Sequence, residues 1–379
     1  MIFERTDNPG ARFLLMGASL VVIVAGLREG ASILLPFALA IFLAVMSMPL
    51  MAWFQNRRVP PSLAIVLTML VIGAVFGALI MLGTQAVADF QDQLPGYRTR
   101  LVFLYASWVE GLSVQLGMPL DQYLTFELID PGAAVDLFGR TAARVAGFLT
   151  NTFLVLLIMA FVLGEATVFP SKFRAIVGPD HEERGSVSKA VGHDRRRATK
   201  IVREVQAYLG IKTVVSLATG VLIGGMAWLL NLDFPVLLGL IGFVMNYIPT
   251  VGSILAAVPA LLFSIVQFGT LGHFTLVAVG YGVINTVFGN IIEPNLMGRR
   301  LGLSTLVVIL SLLFWAWIWG PVGALLAVPL TMVVKIMLEN TEDLRWVAIL
   351  LDKSPPQARA AVESQTVLDP EGSGEGKSA

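Results

Sequence analysis

Apolar residues come in long blocks separated by short polar breaks, and most blocks have the length of a membrane-crossing helix, about 20 residues. Phe13–Leu27 is a short first span, reaching the interface through Arg12 and Arg28. Ala31–Phe54, with Pro36 and Pro49 inside it, is the second, and Pro61–Gly83 the third. Val145–Gly164, Gln206–Leu230 and Gly272–Ile292 continue the series.

Between the third and fourth spans the pattern changes. Thr84–Arg144 alternates polar and apolar residues at helical spacing and is too polar to cross. It predicts amphipathic helices on the outer membrane face, a cap or an oligomer contact; a solvated helical hairpin without specific function fits the pattern equally.

Two apolar blocks are interrupted. Phe234–Phe268 carries NYIPTVG in its middle, where Pro249 removes a backbone donor, Gly252 permits a turn, and Asn246 and Tyr247 bring polar groups to the break. Leu303–Leu338 divides at GPVG, residues 320–323, into Leu303–Trp319 and Ala324–Leu338, each half short of a full crossing. Broken backbone inside hydrocarbon persists only where protein or a water-filled cavity satisfies it. Both blocks therefore predict re-entrant hairpins, with a plain count of eight spans as the competing topology.

VGSILAAVP at Val251–Pro259 resembles VGALLAVP at Val322–Pro329, and each follows an apolar run that itself follows a span. Residues 206–268 and 272–338 thus read as two helix-plus-hairpin units starting from opposite sides, a pattern that points to a transporter's binding site. Small residues and prolines also recur in membrane helices for packing alone.

The expected fold class is an all-α polytopic membrane protein with six to eight transmembrane helices. Two apolar segments are re-entrant helical hairpins in an inverted repeat, and an amphipathic external helical segment is added. The predicted divisions are 1–83, membrane helices; 84–144, external segment; 145–205, fourth span and basic cytoplasmic loop; 206–338, transport core; and 339–379, a cytoplasmic tail disordered at its end.

Composition agrees with the pattern. The chain has 379 residues, 56% hydrophobic and 14% charged, with mean hydropathy +0.78, against roughly 25% charged in soluble domains. Zero net charge gives no sign of a nucleic-acid partner, and the absence of cysteine excludes disulfides and thiolate chemistry. The N-terminal MIFERTDNPGAR leads into the first apolar run without a small-residue cleavage site, so a removed signal peptide is not expected.

Arg57 and Arg58 in the loop after the second span, and nine Lys/Arg in Ser171–Glu204, place those segments in the cytoplasm. Both termini then lie inside. The triplet Arg195-Arg196-Arg197 could meet nucleic acid or lipid headgroups, but topology alone accounts for it.

Candidate chemistry is sparse. Between Gln206 and Leu338 there are two carboxylates, Asp233 and Glu293. Asp233 reads as a solvated loop acid. Glu293, before Pro294 at a helix end, either lines the path or pairs with Arg299 or Arg300. Asn285 and Asn290 lie on the preceding span, and Asn290 and Glu293 are spaced to share a helix face. Ser253 joins Asn246 and Tyr247 on the opposing hairpin. Trp315, Trp317 and Trp319 stack on a solute or, more in keeping with such clusters, anchor the helix at an interface. No nucleotide-binding loop, catalytic triad or metal-ligand spacing is visible, which argues against an ATP-driven pump, an enzyme, and any cofactor.

NYIPTVGSILAAVPALL, the run IIEPNLMGRRLGLSTLVVILSLLFWAWIWGPVGALLAVPLT and the early LLPF…RRVP segment resemble the autoinducer-2 exporter (AI-2E) family over nearly all of residues 30–345. The resemblance implies a bacterial inner-membrane protein, homo-oligomeric and contacting lipid, that moves small solutes; some members export a quorum-sensing signal and others look like sodium(lithium)/proton antiporters. It carries over Asn246, Tyr247, Pro249, Gly252 and Pro259 from the first motif, and Glu293, Pro294, Met297 and Gly298 from the second. Family members often close the first motif with proline, where this chain has Ser253. Gly323 and Pro329 join the substrate path through the repeat. The expected function is a transporter of a small polar solute working by alternating access. Sodium(lithium)/proton antiport, or a membrane scaffold without transport, are the alternatives.

Overall fold

Helix-forming runs without internal breakers become unusually long rods in this protein. The computed structural model describes residues 9–117, 152–177, 185–249, 251–297, 303–339, 341 and 344–352. No strand occurs among them. Helix α1 spans Pro9–Glu29 and α2 spans Ala31–Asn56. Helix α3 opens with Pro61 at its first position, where a missing N–H is harmless, and runs 56 residues to Leu116. Gly117 ends it in the left-handed conformation (φ 65°). At 1.5 Å per residue α3 is about 84 Å long, roughly twice a bilayer with its headgroups. One helix therefore passes through residues 83 and 84 without a break. Residues 118–151, which include much of the predicted external segment, lie outside the described residues.

Helix α4 spans Thr152–Val177 and α5 spans Gly185–Leu229. The basic stretch predicted as a loop is thus helical over 171–177 and 185–204. Its Lys, Arg and Glu residues are good helix formers, and the strong breakers Gly178-Pro179 fall between the two helices. By length and composition alone six described helices could cross a membrane: Ala31–Asn56, Pro61–Leu116, Val202–Leu229, Val251–Phe268, Leu271–Met297 and Thr305–Glu339, the last of which folds back on itself at Gly320. Helices α2, α3 and α4 pack through Ala40, Ala44 and Ala64 against Val155, Met159 and Leu163, small residues admitting close approach.

The interrupted block 234–268 is a hairpin. Helix α6 (Pro235–Met245) enters and α7 (Val251–Phe268) returns. At the mouth, the Asp233 N–H donates to Gln267 Oε1 at 3.0 Å and Gln267 Nε2 donates to the Asn231 carbonyl at 2.8 Å. Helix α6 lies flat on α5: a Cβ added to Gly220 would stand 2.7 Å from the Gly239 carbonyl, so the two backbones are nearly in contact.

The second block is also a hairpin. Helix α10 (Thr305–Glu339) breaks at Gly320, whose φ of 64° and ψ of −147° no other residue adopts readily. Trp315 Nε1 donates to Thr331 Oγ1 at 3.0 Å. In a straight helix those residues would be about 24 Å apart. Both arms end beside α11 (Arg345–Leu351): the Ser304 N–H donates to the Leu351 carbonyl, and Lys335 pairs with Asp352.

A third rod connects the hairpins: α8 (Leu271–Ile284), eight π-helical residues Asn285–Ile292, and α9 (Glu293–Met297). It runs antiparallel to α5, with Gly280 beside Met226 at one end and Glu293 beside Lys212 at the other. The hairpins consequently open at opposite ends of the core. The tips are built alike: a Cβ on Gly252 would overlap the Met245 carbonyl and crowd Ile248, and a Cβ on Gly323 would overlap the Trp315 carbonyl and crowd Trp319. This is the inverted pair expected from the matching sequence segments.

Candidate functional site

Tyr208, Lys212, Ser216 and Thr219 follow one another along α5 at spacings of four, four and three, which puts them on a single face. That face is buried: all four are under 9% exposed. Buried polar groups in an apolar helix require partners, and the hairpin tip and the π-containing rod provide them. Asn246 Nδ2 donates to Ser216 Oγ at 2.9 Å. The Tyr247 hydroxyl donates to Thr213 Oγ1 at 2.8 Å, and Thr213 in turn donates to the Leu209 carbonyl. Lys212 Nζ lies 2.5 Å from Glu293 Oε1, the side chains being 4% and 16% exposed. Gln206 fastens the same helix to α2 through the Val45 carbonyl at 2.8 Å.

An ion pair this deep adds little stability, because the desolvation of both charges offsets their attraction. It lies where the polar tip of the first hairpin, α5 and the π-helical segment come together, and intramembrane charges and π-helical turns concentrate at functional sites, which makes this the candidate site. The π segment has a local cause. Pro294 lacks the N–H that would reach the Asn290 carbonyl, and its ring clashes there, so the preceding turns widen. Widening changes the faces: residues five apart, such as Asn285 and Asn290, become neighbours one turn apart.

The sequence-selected residues divide into two groups. Asn246, Tyr247 and Glu293 meet around α5, with Pro249 and Gly252 shaping the tip and half-buried Ser253 in the first turn of α7. Gly323 shapes the other tip. Pro259 and Pro329 are buried within hairpin arms. Met297 packs with Phe42, Tyr208 and Val322. Half-buried Asn285 holds its Oδ1 against Gly289, while Asn290 and Pro294 are exposed. Gly298, Arg299 and Arg300 lie outside the described residues. Trp315 and Trp319 are structural, the latter donating to the Leu27 carbonyl at 3.0 Å, and exposed Trp317 carries Arg28 at 4.8 Å from its ring.

Sequence reading overlooked the partners on α5. Weighing carboxylates alone hid Lys212, a lone cation in the apolar run from Ile211 to Leu230 and hence a signal in its own right. Thr213, Ser216 and Thr219 are common in membrane helices and carried no signal without the fold. Asp233 is not the solvated acid expected of a turn. It accepts the hydroxyl of Tyr97 on α3 and a bond from Gln267. Among the described residues no cluster of three His, Cys, Asp or Glu side chains could hold a metal.

Residues 18–343 match the model of a family described as AI-2E family transporter. The chain is 37% identical over 342 residues to the AI-2 transport protein TqsA of Escherichia coli, covering 90% of this chain and 96% of TqsA. It is likewise 37% identical over 345 residues to a protein of Haemophilus influenzae named only as a transport protein, covering 90% and 96%. A transport protein YhhT of Escherichia coli is 32% identical over 353 residues, covering 93% and 97%.

Proposed function

The chain belongs to the AI-2E transporter family, and from that membership we propose that it carries a small polar solute across a bacterial inner membrane by alternating access. As a family member with several apolar spans it is a multi-pass membrane transporter. The observation that supports the finer reading is the buried network joining Asn246 and Tyr247 of the first hairpin tip, through α5, to Glu293 of the π-containing rod. A hairpin clamped at its mouth and polar at its tip, as the first one is, is suited to moving at the tip, alternately covering and uncovering the α5 face. Autoinducer-2 is the first solute to try, since TqsA is named for it. The test joins tip to helix: in reconstituted full-length protein, a Ser216→Cys/Asn246→Cys disulfide should stop autoinducer-2 flux, and reduction should restore it. Flux unaffected by the cross-link would dismiss a moving tip.

Sodium(lithium)/proton antiport is the second reading, favoured by the single carboxylate at mid-core, Glu293. Glu293→Gln should abolish antiport but leave flux of a neutral solute running with altered affinity. A homo-oligomer, with the projecting part of α3 as a contact, belongs to the same proposal.

A further inference from the structure

The α5 face sets one cation among neutral hydroxyls. Tyr208, Ser216 and Thr219 contribute hydroxyls and Lys212 an ammonium group, with the Asn246 amide donating from the hairpin tip. Glu293 is the carboxylate bonded to Lys212 on this face, while Asp233 is committed at the far mouth of the first hairpin. Thr219 adds an independent sign. Its Oγ1 is buried and meets no partner, although Thr213 and Thr68 on comparable helices donate to carbonyls one turn back. It stands one turn from Ser216 and two from Lys212, on the same face. A buried hydroxyl left unbonded is unfavourable; Ser264 and Tyr281 share that condition, and of these three described residues Thr219 is the one on the face that carries Lys212.

The two members of the ion pair are held differently. Lys212 rises from the middle of a helix sealed against α6. Glu293 is the more exposed member and sits where the π segment gives way to α9 before Pro294. Of the two, the carboxylate is the group that can be exchanged.

We propose that the polar face of α5 binds a small, oxygen-rich monoanion, which takes the place of Glu293 on Lys212 while Glu293 takes up a proton. This rests on the transport reading above and narrows its solute class. The charges balance throughout. Empty, the site holds Lys212 cationic and Glu293 anionic. Loaded, it holds Lys212 cationic, the solute anionic and Glu293 neutral, the proton having come from water on the side of entry to form one O–H bond on the carboxyl. On release the anion and that proton leave together, so one of each crosses. The site is neutral in both states, which avoids an unpaired charge at membrane depth. Among the described residues, the titratable groups facing Glu293 are Lys212 and Tyr208 from α5, with Tyr247 of the hairpin tip beside Tyr208. Oxygen substituents on the solute would bond Ser216, Thr219 and Asn246.

The experiment uses full-length protein and three probes that share a carbon chain but differ in charge: gluconate, sorbitol and N-methylglucamine. Thermal stabilisation and proton uptake in weakly buffered detergent are read together. Gluconate should stabilise the wild type with uptake of protons. It should bind Glu293→Gln about tenfold more tightly, since the internal competitor is gone, and without proton uptake. Binding should disappear in Lys212→Met, and in the Lys212→Met/Glu293→Gln pair, a neutral combination that keeps the site's volume should either single variant misfold. Equal stabilisation by sorbitol, stabilisation by N-methylglucamine that Glu293→Gln removes, or no gluconate effect on Glu293→Gln would each overturn the anion site. The transport reading has its own readout. Solute flux that survives Lys212→Met but stops with the Ser216–Asn246 cross-link leaves transport standing and removes only the anion, whereas flux indifferent to the cross-link removes both.

Discussion

Tyr97 on the projecting part of α3 donates its hydroxyl to Asp233, at the mouth of the first hairpin 136 residues further along the chain. Beside it Phe234 adopts φ 57°, a conformation strained for a bulky residue. The rings of Phe90, Tyr97 and Phe263 hold Phe234 at centroid distances of 5.5, 5.8 and 5.6 Å. The long helix therefore braces the mouth of the hairpin through Asp233 and Phe234. Tyr97→Phe keeps the ring and removes the bond to a carboxylate, a loss of about 1.5–3 kcal/mol. Faster amide hydrogen exchange at residues 231–234, with the α2–α4 packing unchanged, is the expected outcome.

The paired tips make a symmetrical prediction. Gly252→Ala and Gly323→Ala each drive a methyl group into a backbone carbonyl that cannot swing aside. Each should destabilise by about 1–3 kcal/mol and abolish transport. Gly225 is the control, since a Cβ there meets nothing within 4 Å. Thermal unfolding in detergent should show Gly225→Ala at or above the wild type and both tip variants below it. Different behaviour at the two tips would mean the repeat is one of sequence only.

The second hairpin has its own latch. Buried Lys335 reaches Asp352 at 3.3 Å and Glu339 at 3.7 Å, tying α10 to the segment after α11. Lys335→Met removes one charged partner from the Asp352 carboxylate, a loss of about 1.5–3 kcal/mol. Limited proteolysis between residues 339 and 352 should accelerate, and Lys335→Met/Asp352→Leu should restore part of the protection.

What could be read in advance followed chemical locality. NYIPTVG and GPVG announce broken helices because proline and glycine act on the backbone where they stand. The match of VGSILAAVP to VGALLAVP announced the repeat, down to the glycines that seat both tips. Lys212 and Glu293, by contrast, are 81 residues apart and meet only because α5 and the α8–α9 rod run antiparallel. Tyr97 carries no mark of its distant partner. The π segment arises from Pro294 acting backwards on the preceding turns, and assuming regular α spacing misjudges which of Asn285, Asn290 and Glu293 share a face.

If solute travels along the buried polar face of α5, as proposed, Thr219 is the most direct place to detect it. The chain has no cysteine of its own, so Thr219→Cys in the full protein is the only thiol present. A small membrane-impermeant thiol reagent should modify it, transported solute should slow that modification, and the modified protein should no longer carry solute. A thiol that stays unreactive from both sides during turnover, or a modified protein that transports normally, would contradict the account.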